Sequence, residues 1–119
     1  MDKIKSLSQA MRYGATLRPR CETTTFELIQ LKDGSRTIAS CAIGAALEGI
    51  GYDPQHGLIG TDIAWHKLLQ RFPAINSYAL NCPICGIETD GLRHTIFHLN
   101  DIHHWKREEI ASWLETKGL

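Results

Sequence analysis

Cys82-Pro83-Ile84-Cys85-Gly86, then His98 with twelve residues between it and Cys85, and His103 with four residues between it and His98, is the stretch on which the reading of this chain turns. The spacing, C-x(2)-C-x(12)-H-x(4)-H, lies inside the range used by zinc fingers with two cysteine and two histidine ligands. Two thiolates and two imidazoles close a tetrahedron around Zn2+ and leave no open position for a substrate. The expected ion is therefore structural, not catalytic. It would also let residues 74–119 hold together with little core of their own. Two parts follow: an N-terminal α+β domain over 1–73, and a zinc-finger-like subdomain over 74–119 packed on it.

The second histidine pair is ambiguous, because His94, His98, His103 and His104 all fall in this stretch. His94 and His98 are one helical turn apart on one face. Choosing them leaves only eight residues after Cys85, short for a turn plus a helix. His98 and His103 restore the interval of twelve and are favoured; His94 stays as the alternative ligand and His104 as a lesser one.

Working outward, Leu92 to about Asn100 reads as a helix carrying His94 and His98. A second helix runs from near Lys106 to Lys117 and buries Ile110, Trp113 and Leu114. Trp105 is placed to pack on Ile110 as a staple, and Glu109 sits where a capping box needs its acid. Lys106 is a poor N-cap, so the box is incomplete. Upstream, residues 3–17 repeat apolar side chains at helical spacing (Ile4, Leu7, Met11, Ala15), and Pro19 ends the run. Thr23 to Leu31 and Arg36 to Ala39 form a hairpin across Asp33-Gly34, a pair whose members both tolerate positive φ. Ser40 is the expected cap of a helix over 41–50, whose small residues permit close approach to the hairpin or the first helix. Residues 51–60 form a loop. Thr61 or Asp62 then caps a helix bearing Ile63, Trp65, Leu68, Leu69 and Phe72, ended by Pro73. Residues 73–81 connect it to the knuckle. The fold class is α+β: a helix, a hairpin, two helices and a knuckle with its helix pair.

The 119 residues carry 13 basic and 13 acidic side chains, so no overall field draws the chain to phosphate or to an anionic membrane. No apolar run approaches the roughly 20 residues that span a bilayer. Met1-Asp2-Lys3-Ile4-Lys5 lacks the apolar stretch of a secretory signal. A cysteine knuckle without export features points to metal over disulfides and to a reducing compartment, the cytoplasm.

A finger that reads DNA presents polar side chains at set helix positions. Counted back from His98, these are Gly91, His94 and Phe97, none of which resembles an arginine poised for guanine. Thr89 and Thr95 stand where the usual finger core has an aromatic residue and a leucine. Arg12, Arg18 and Arg20 form a modest basic group that could contact nucleic acid if the acidic residues lie on another face. Cys41 reads as a buried apolar thiol, and Cys21 has no histidine pattern that would make it a nucleophile. Trp65, Trp105 and Trp113 read as core. No phosphate-cradling glycine motif or nucleophile elbow is present. A metal hydrolase would require one of the four ligands to be water.

Met11-Arg12-Tyr13-Gly14-Ala15-Thr16-Leu17-Arg18-Pro19, SCAIGAALEG over residues 40–49, CPICG over 82–86 and HLNDIHHWKREEIASWLE over 98–115 resemble a group of small uncharacterised proteins encoded by phages and prophages. The resemblance covers most of the chain and supports His98 and His103 as the ligand pair. Lys106 departs from the serine or threonine expected as a cap. The resemblance implies a genomic setting and no mechanism. The expected function is thus a non-enzymatic, zinc-stabilised accessory module that binds a host or phage protein. The alternative is a transcription or nucleic-acid-associated regulator using a local basic face.

Overall fold

The central helix of the molecule is rich in small residues, five alanines and glycines in eight positions. The computed structural model describes residues 4–77 and 80–119, and in it α2 (Ala42–Gly49) is buried along its whole length. A helix apolar on every side must be wrapped by its neighbours. Here α1 (Leu7–Ala15) covers one face, and the hairpin of β1 (Phe26–Gln30) and β2 (Arg36–Ser40) abuts its start. The helices α3 (Thr61–Arg71), α4 (Leu92–Asp101) and α5 (Arg107–Thr116) enclose the rest. Short 3-10 turns at Pro54–His56 and Pro73–Ser77 flank α3. The arrangement is α+β, in the order expected. Lys3 of the first expected helix and Tyr78 and Ala79 of the 73–81 connection lie outside the described residues.

The contact between α1 and α2 is reciprocal. Each helix carries a five-residue Ala-x(3)-Gly motif, Ala10 to Gly14 and Ala45 to Gly49. A Cβ on Gly14 would fall 1.7 Å from the Ala45 carbonyl oxygen, and one on Gly49 would fall 2.0 Å from that of Ala10. The helices therefore meet backbone to backbone, antiparallel, which only small residues allow. One hydrophobic core then joins the two halves of the chain: Leu7, Met11 and Leu47 share it with Ile96, Leu99 and Ile110. Trp65 is buried in it, and Trp105 and Trp113 pack against it.

Three local expectations are corrected. The hairpin turn is not a two-residue Asp-Gly turn. Leu31 N–H donates to Ser35 C=O (2.7 Å) and Gly34 N–H to Leu31 C=O (3.0 Å), so a three-residue loop closes the strands and only Gly34 (φ 89°) is left-handed. The cap of α2 is Cys41, whose Sγ accepts from Gly44 N–H (3.5 Å), not Ser40. Ser40 completes β2, and its hydroxyl accepts from Arg107 (2.8 Å). The cap position of α3 is Gly60, with Thr61 already helical. Helix α1 is also shorter than its apolar pattern, opening at Ser6, whose hydroxyl accepts from Gln9 N–H (3.2 Å).

Arg107 is the most buried charge, 6% exposed. Its guanidinium donates to the carbonyls of Ala15 (3.1 Å), Arg18 (2.8 Å), Ser40 (3.3 Å) and Pro19 (3.4 Å). Ala15 is the last residue of α1, so the cation sits at the negative end of that helix. Burial pushes its pKa below the ordinary arginine value, and its Nε has no hydrogen-bond partner among the described residues.

Candidate metal centre

The knuckle and the end of α4 meet at one point. Within the knuckle, Cys82 N–H donates to Ile87 C=O (3.0 Å) and Gly86 N–H to Cys82 C=O (2.9 Å), a tight loop that needs Gly86 at φ 74°. This loop turns both thiols the same way, and Ile84 N–H points at Cys82 Sγ (3.4 Å). Burial opposes the Cys82 thiolate. The amides of Cys85, Ile84 and Gly86 and the Cys85 thiol outweigh it, and the pKa lies below the ordinary thiol value.

Helix α4 brings the imidazoles. His98 lies in its last turn, where Nε2 is 3.3 Å from Cys85 Sγ. Beyond the helix, His103 N–H donates to His98 C=O (3.2 Å), and the two rings stand edge to face with centroids 4.7 Å apart. One donor atom from each of Cys82, Cys85, His98 and His103 lies within 4.8 Å of every other. In a tetrahedral zinc site with these ligands such separations are roughly 3.3–3.8 Å. The four are close enough to share one metal ion, and the donor set is consistent with zinc. His103 Nε2 is buried with no hydrogen-bond partner among the described residues, the condition of an imidazole whose acceptor nitrogen is reserved for a cation.

The other two histidines lie elsewhere. His94 is exposed, its Nε2 3.4 Å from an Arg93 guanidinium nitrogen, and it is not part of the four-donor group. His104, at φ 56°, turns its ring away so that Nδ1 meets Glu22 Oε2 at 2.5 Å. That contact, together with Arg20, holds the Glu22 carboxyl below its usual range.

What fixes α4 is a set of polar contacts that the spacing of cysteines and histidines does not reveal. Asn100, fully buried two residues after His98, accepts from Ala42 N–H (3.2 Å) and donates to Cys21 C=O (3.1 Å) and Asp101 Oδ1 (2.7 Å). Near the start of α4, Thr95 donates to Leu80 C=O (2.6 Å) and accepts from Thr89 (2.6 Å). The two threonines at the usual finger-core offsets thus form a hydroxyl pair in place of an aromatic plug. Asn100 carries no periodicity or spacing signal, and the offsets of the threonines mark only a missing finger core, not the bonds they make. Apart from Asp101 and the threonine pair itself, the partners of all three are main-chain groups set by the tertiary fold.

The basic group is taken up internally. Arg12 pairs with Glu115 and bonds Ser112; Arg18 Nε donates to both Glu48 carboxylate oxygens (2.9 Å each). Arg20 pairs with Glu22 (2.6 Å) and donates to the carbonyls of Trp105 (3.1 Å) and Asn100. Burial drives the Cys21 thiol up to about 12 and the Cys41 thiol up to about 11, so both are inert at neutral pH. No helix among the described residues is long and apolar enough to cross a membrane. No protein-family model, curated protein or solved structure matches the chain.

Proposed function

We propose that the chain is a non-enzymatic accessory module of phage or prophage type, stabilised by one structural Zn2+, that binds a host or phage protein. The observation carrying this reading is the closure of the donor set. Four soft or borderline ligands surround one point, and a metal held by all four has no position left for a water nucleophile. Cys82, Cys85, His98 and His103 would hold the ion, which would fasten the knuckle to the end of α4. The exposed apolar side chains beside the ligands, Ile84, Ile87 and Ile102, then belong to one rigid surface. Such a surface suits a protein partner more than phosphate. The pairing of Arg12, Arg18 and Arg20 with carboxylates lends the nucleic-acid alternative no free cationic face.

Affinity capture from host or phage-infected lysate at low and high salt tests it. The expected result is one protein retained at high salt by the native chain and lost by an Ile84→Asp, Ile102→Asp double variant that keeps its metal. Retention of duplex DNA that salt releases, with no protein retained, would overturn the reading in favour of a regulator.

A further inference from the structure

The hairpin carries a hydrogen-bonding edge that no other segment among the described residues claims. At its tip Leu31 N–H donates to Ser35 C=O, and at its base Cys41 N–H donates to Thr25 C=O (3.0 Å). Hydrogen-bonded and non-hydrogen-bonded pairs alternate along an antiparallel ladder. The main-chain groups of Glu27 and Ile29 therefore face β2, while those of Phe26, Leu28 and Gln30 point away from it. Two observations agree with this parity. Ser40, opposite Phe26, spends its outward groups on Pro19 C=O (2.9 Å) and Cys21 N–H (3.0 Å). Phe26 C=O accepts from the Thr24 hydroxyl (3.3 Å). The 19–21 segment thus closes the base of the outer edge of β2 at Ser40 and leaves only Ile38 and Arg36 unmet there, whereas β1 has no main-chain partner on its outer edge at Phe26, Leu28 or Gln30 among the described residues.

We propose that this edge is a self-association surface. In the proposed dimer β1 pairs antiparallel with β1 of a second copy about a twofold axis at Leu28, and the two hairpins become one four-stranded sheet. Phe26 then lies opposite Gln30 of the second copy, Glu27 opposite Ile29, and Leu28 opposite Leu28. Outward groups meet outward groups along the whole strand.

The side chains fit the same register. Leu28 pairs with Ile38 on one face of the hairpin and is 52% exposed in the single chain. The dimer would run Ile38, Leu28, Leu28, Ile38 across the sheet, and adjacent aliphatic pairs of this kind stabilise sheets. Glu27 meets Ile29, so no like charges are opposed. The strand carries no proline or lysine of the kind that guards edges. A two-stranded ribbon is marginal by itself, and the added strands remedy that. An unrelated strand could satisfy the backbone, but a second copy supplies the matching aliphatic row by symmetry. This inference is independent of the metal and of the partner proposed above.

Sedimentation equilibrium of the full chain at about 0.5 mM, enough to populate an interface at the small end of the size range, should give twice the monomer mass. Leu28→Pro deletes an outward N–H and leaves the β1–β2 bonds in place. It should return the monomer mass with an unchanged circular dichroism spectrum. Should that variant misfold, Leu28→Cys decides. Its Cα atoms would sit about 5.5 Å apart across the axis, within disulfide reach, so mild oxidation should yield a covalent dimer that the native chain and Gln30→Cys do not give. A native chain of monomer mass at that concentration, a dimer that survives Leu28→Pro in a folded variant, or no Leu28→Cys cross-link overturns the proposal.

Discussion

Asn100 Oδ1 accepts from the Ala42 amide at 3.2 Å, a bond between residues 58 apart in sequence that caps α2 with a side chain from the metal-bearing helix. Its amide nitrogen is equally committed, to Cys21 C=O and to Asp101. Asn100→Leu would leave a buried N–H and a buried C=O without partners, a loss of about 2–4 kcal/mol. The melting temperature should fall by roughly 10 °C or more. Asn100→Asp keeps the acceptor for Ala42 yet sets a carboxylate against a carbonyl, and should do no better. Melting points within a degree or two of native for either variant would refute the role given to Asn100.

Metal content separates the four histidines. Native mass spectrometry should find one zinc per chain, retained by His94→Ala and His104→Ala and lost or made labile by His98→Ala and His103→Ala. Retention of the ion by His103→Ala would sink the assignment of its unpartnered Nε2 to the metal.

Thiol reactivity gives an orthogonal readout. With metal in place, none of the four cysteines should alkylate quickly at neutral pH. After chelation, Cys85, which is exposed, should react first and Cys82 next. Cys21 and Cys41, buried and with pKa values pushed up to about 12 and about 11, should stay protected until global unfolding. Peptide mapping after a short alkylation pulse decides this, and labelling of Cys21 ahead of Cys82 would contradict it.

The hairpin loop has its own pH signature. Asp33 accepts from the Ser35 hydroxyl (2.6 Å) and the Ser35 amide (2.9 Å), which together hold its carboxyl below the ordinary 3.8. A depressed carboxyl contributes stability above its unfolded value, and that stability disappears as pH falls through the folded value. Carboxyl NMR titration should therefore place the Asp33 midpoint below 3.8, with Ser35→Ala moving it back upward. An unmoved midpoint in Ser35→Ala would show that the serine is not the cause.

Arg107 should be intolerant even of lysine. A single ammonium cannot reach the carbonyls of Ala15, Arg18 and Ser40 together, so buried acceptors lose their donors in Arg107→Lys. A cost of about 3 kcal/mol follows, and Arg107→Met, which leaves the same carbonyls bare, should cost at least as much. Denaturant titration checks both, and full stability in Arg107→Lys would count against the network.

Much of this architecture is legible before the structure is known, and the reasons are local. The four donors lie on two short segments whose spacing encodes their meeting, and the small residues of the 41–50 helix announce a close contact with the hairpin or α1, of which the structure has both. What escapes is whatever depends on competition between distant groups. Ser40 is the better intrinsic cap, but its hydroxyl is claimed by Arg107 and its main chain by Pro19 and Cys21, so the cap passes to Cys41. Nothing in the sequence singles out Arg107, because its acceptors lie 67 to 92 residues away. Arg12, Arg18 and Arg20 read as a shared basic patch because their carboxylate partners cannot be inferred from spacing.

The paired Ala-x(3)-Gly motifs of α1 and α2 bear on how this chain can change over time. At Gly14 and Gly49 the atoms in the way are the carbonyl oxygen, carbonyl carbon and Cα of the opposite alanine, all main chain. A side-chain clash can be relieved by trimming the neighbour, but a backbone clash offers nothing to trim. No replacement of Ala45 could rescue Gly14→Ala, and none of Ala10 could rescue Gly49→Ala. Only a displaced helix would suffice, and α2 is enclosed on every side. These two positions should therefore behave as fixed points around which the rest of the sequence drifts, without the covarying partners that mark ordinary core contacts.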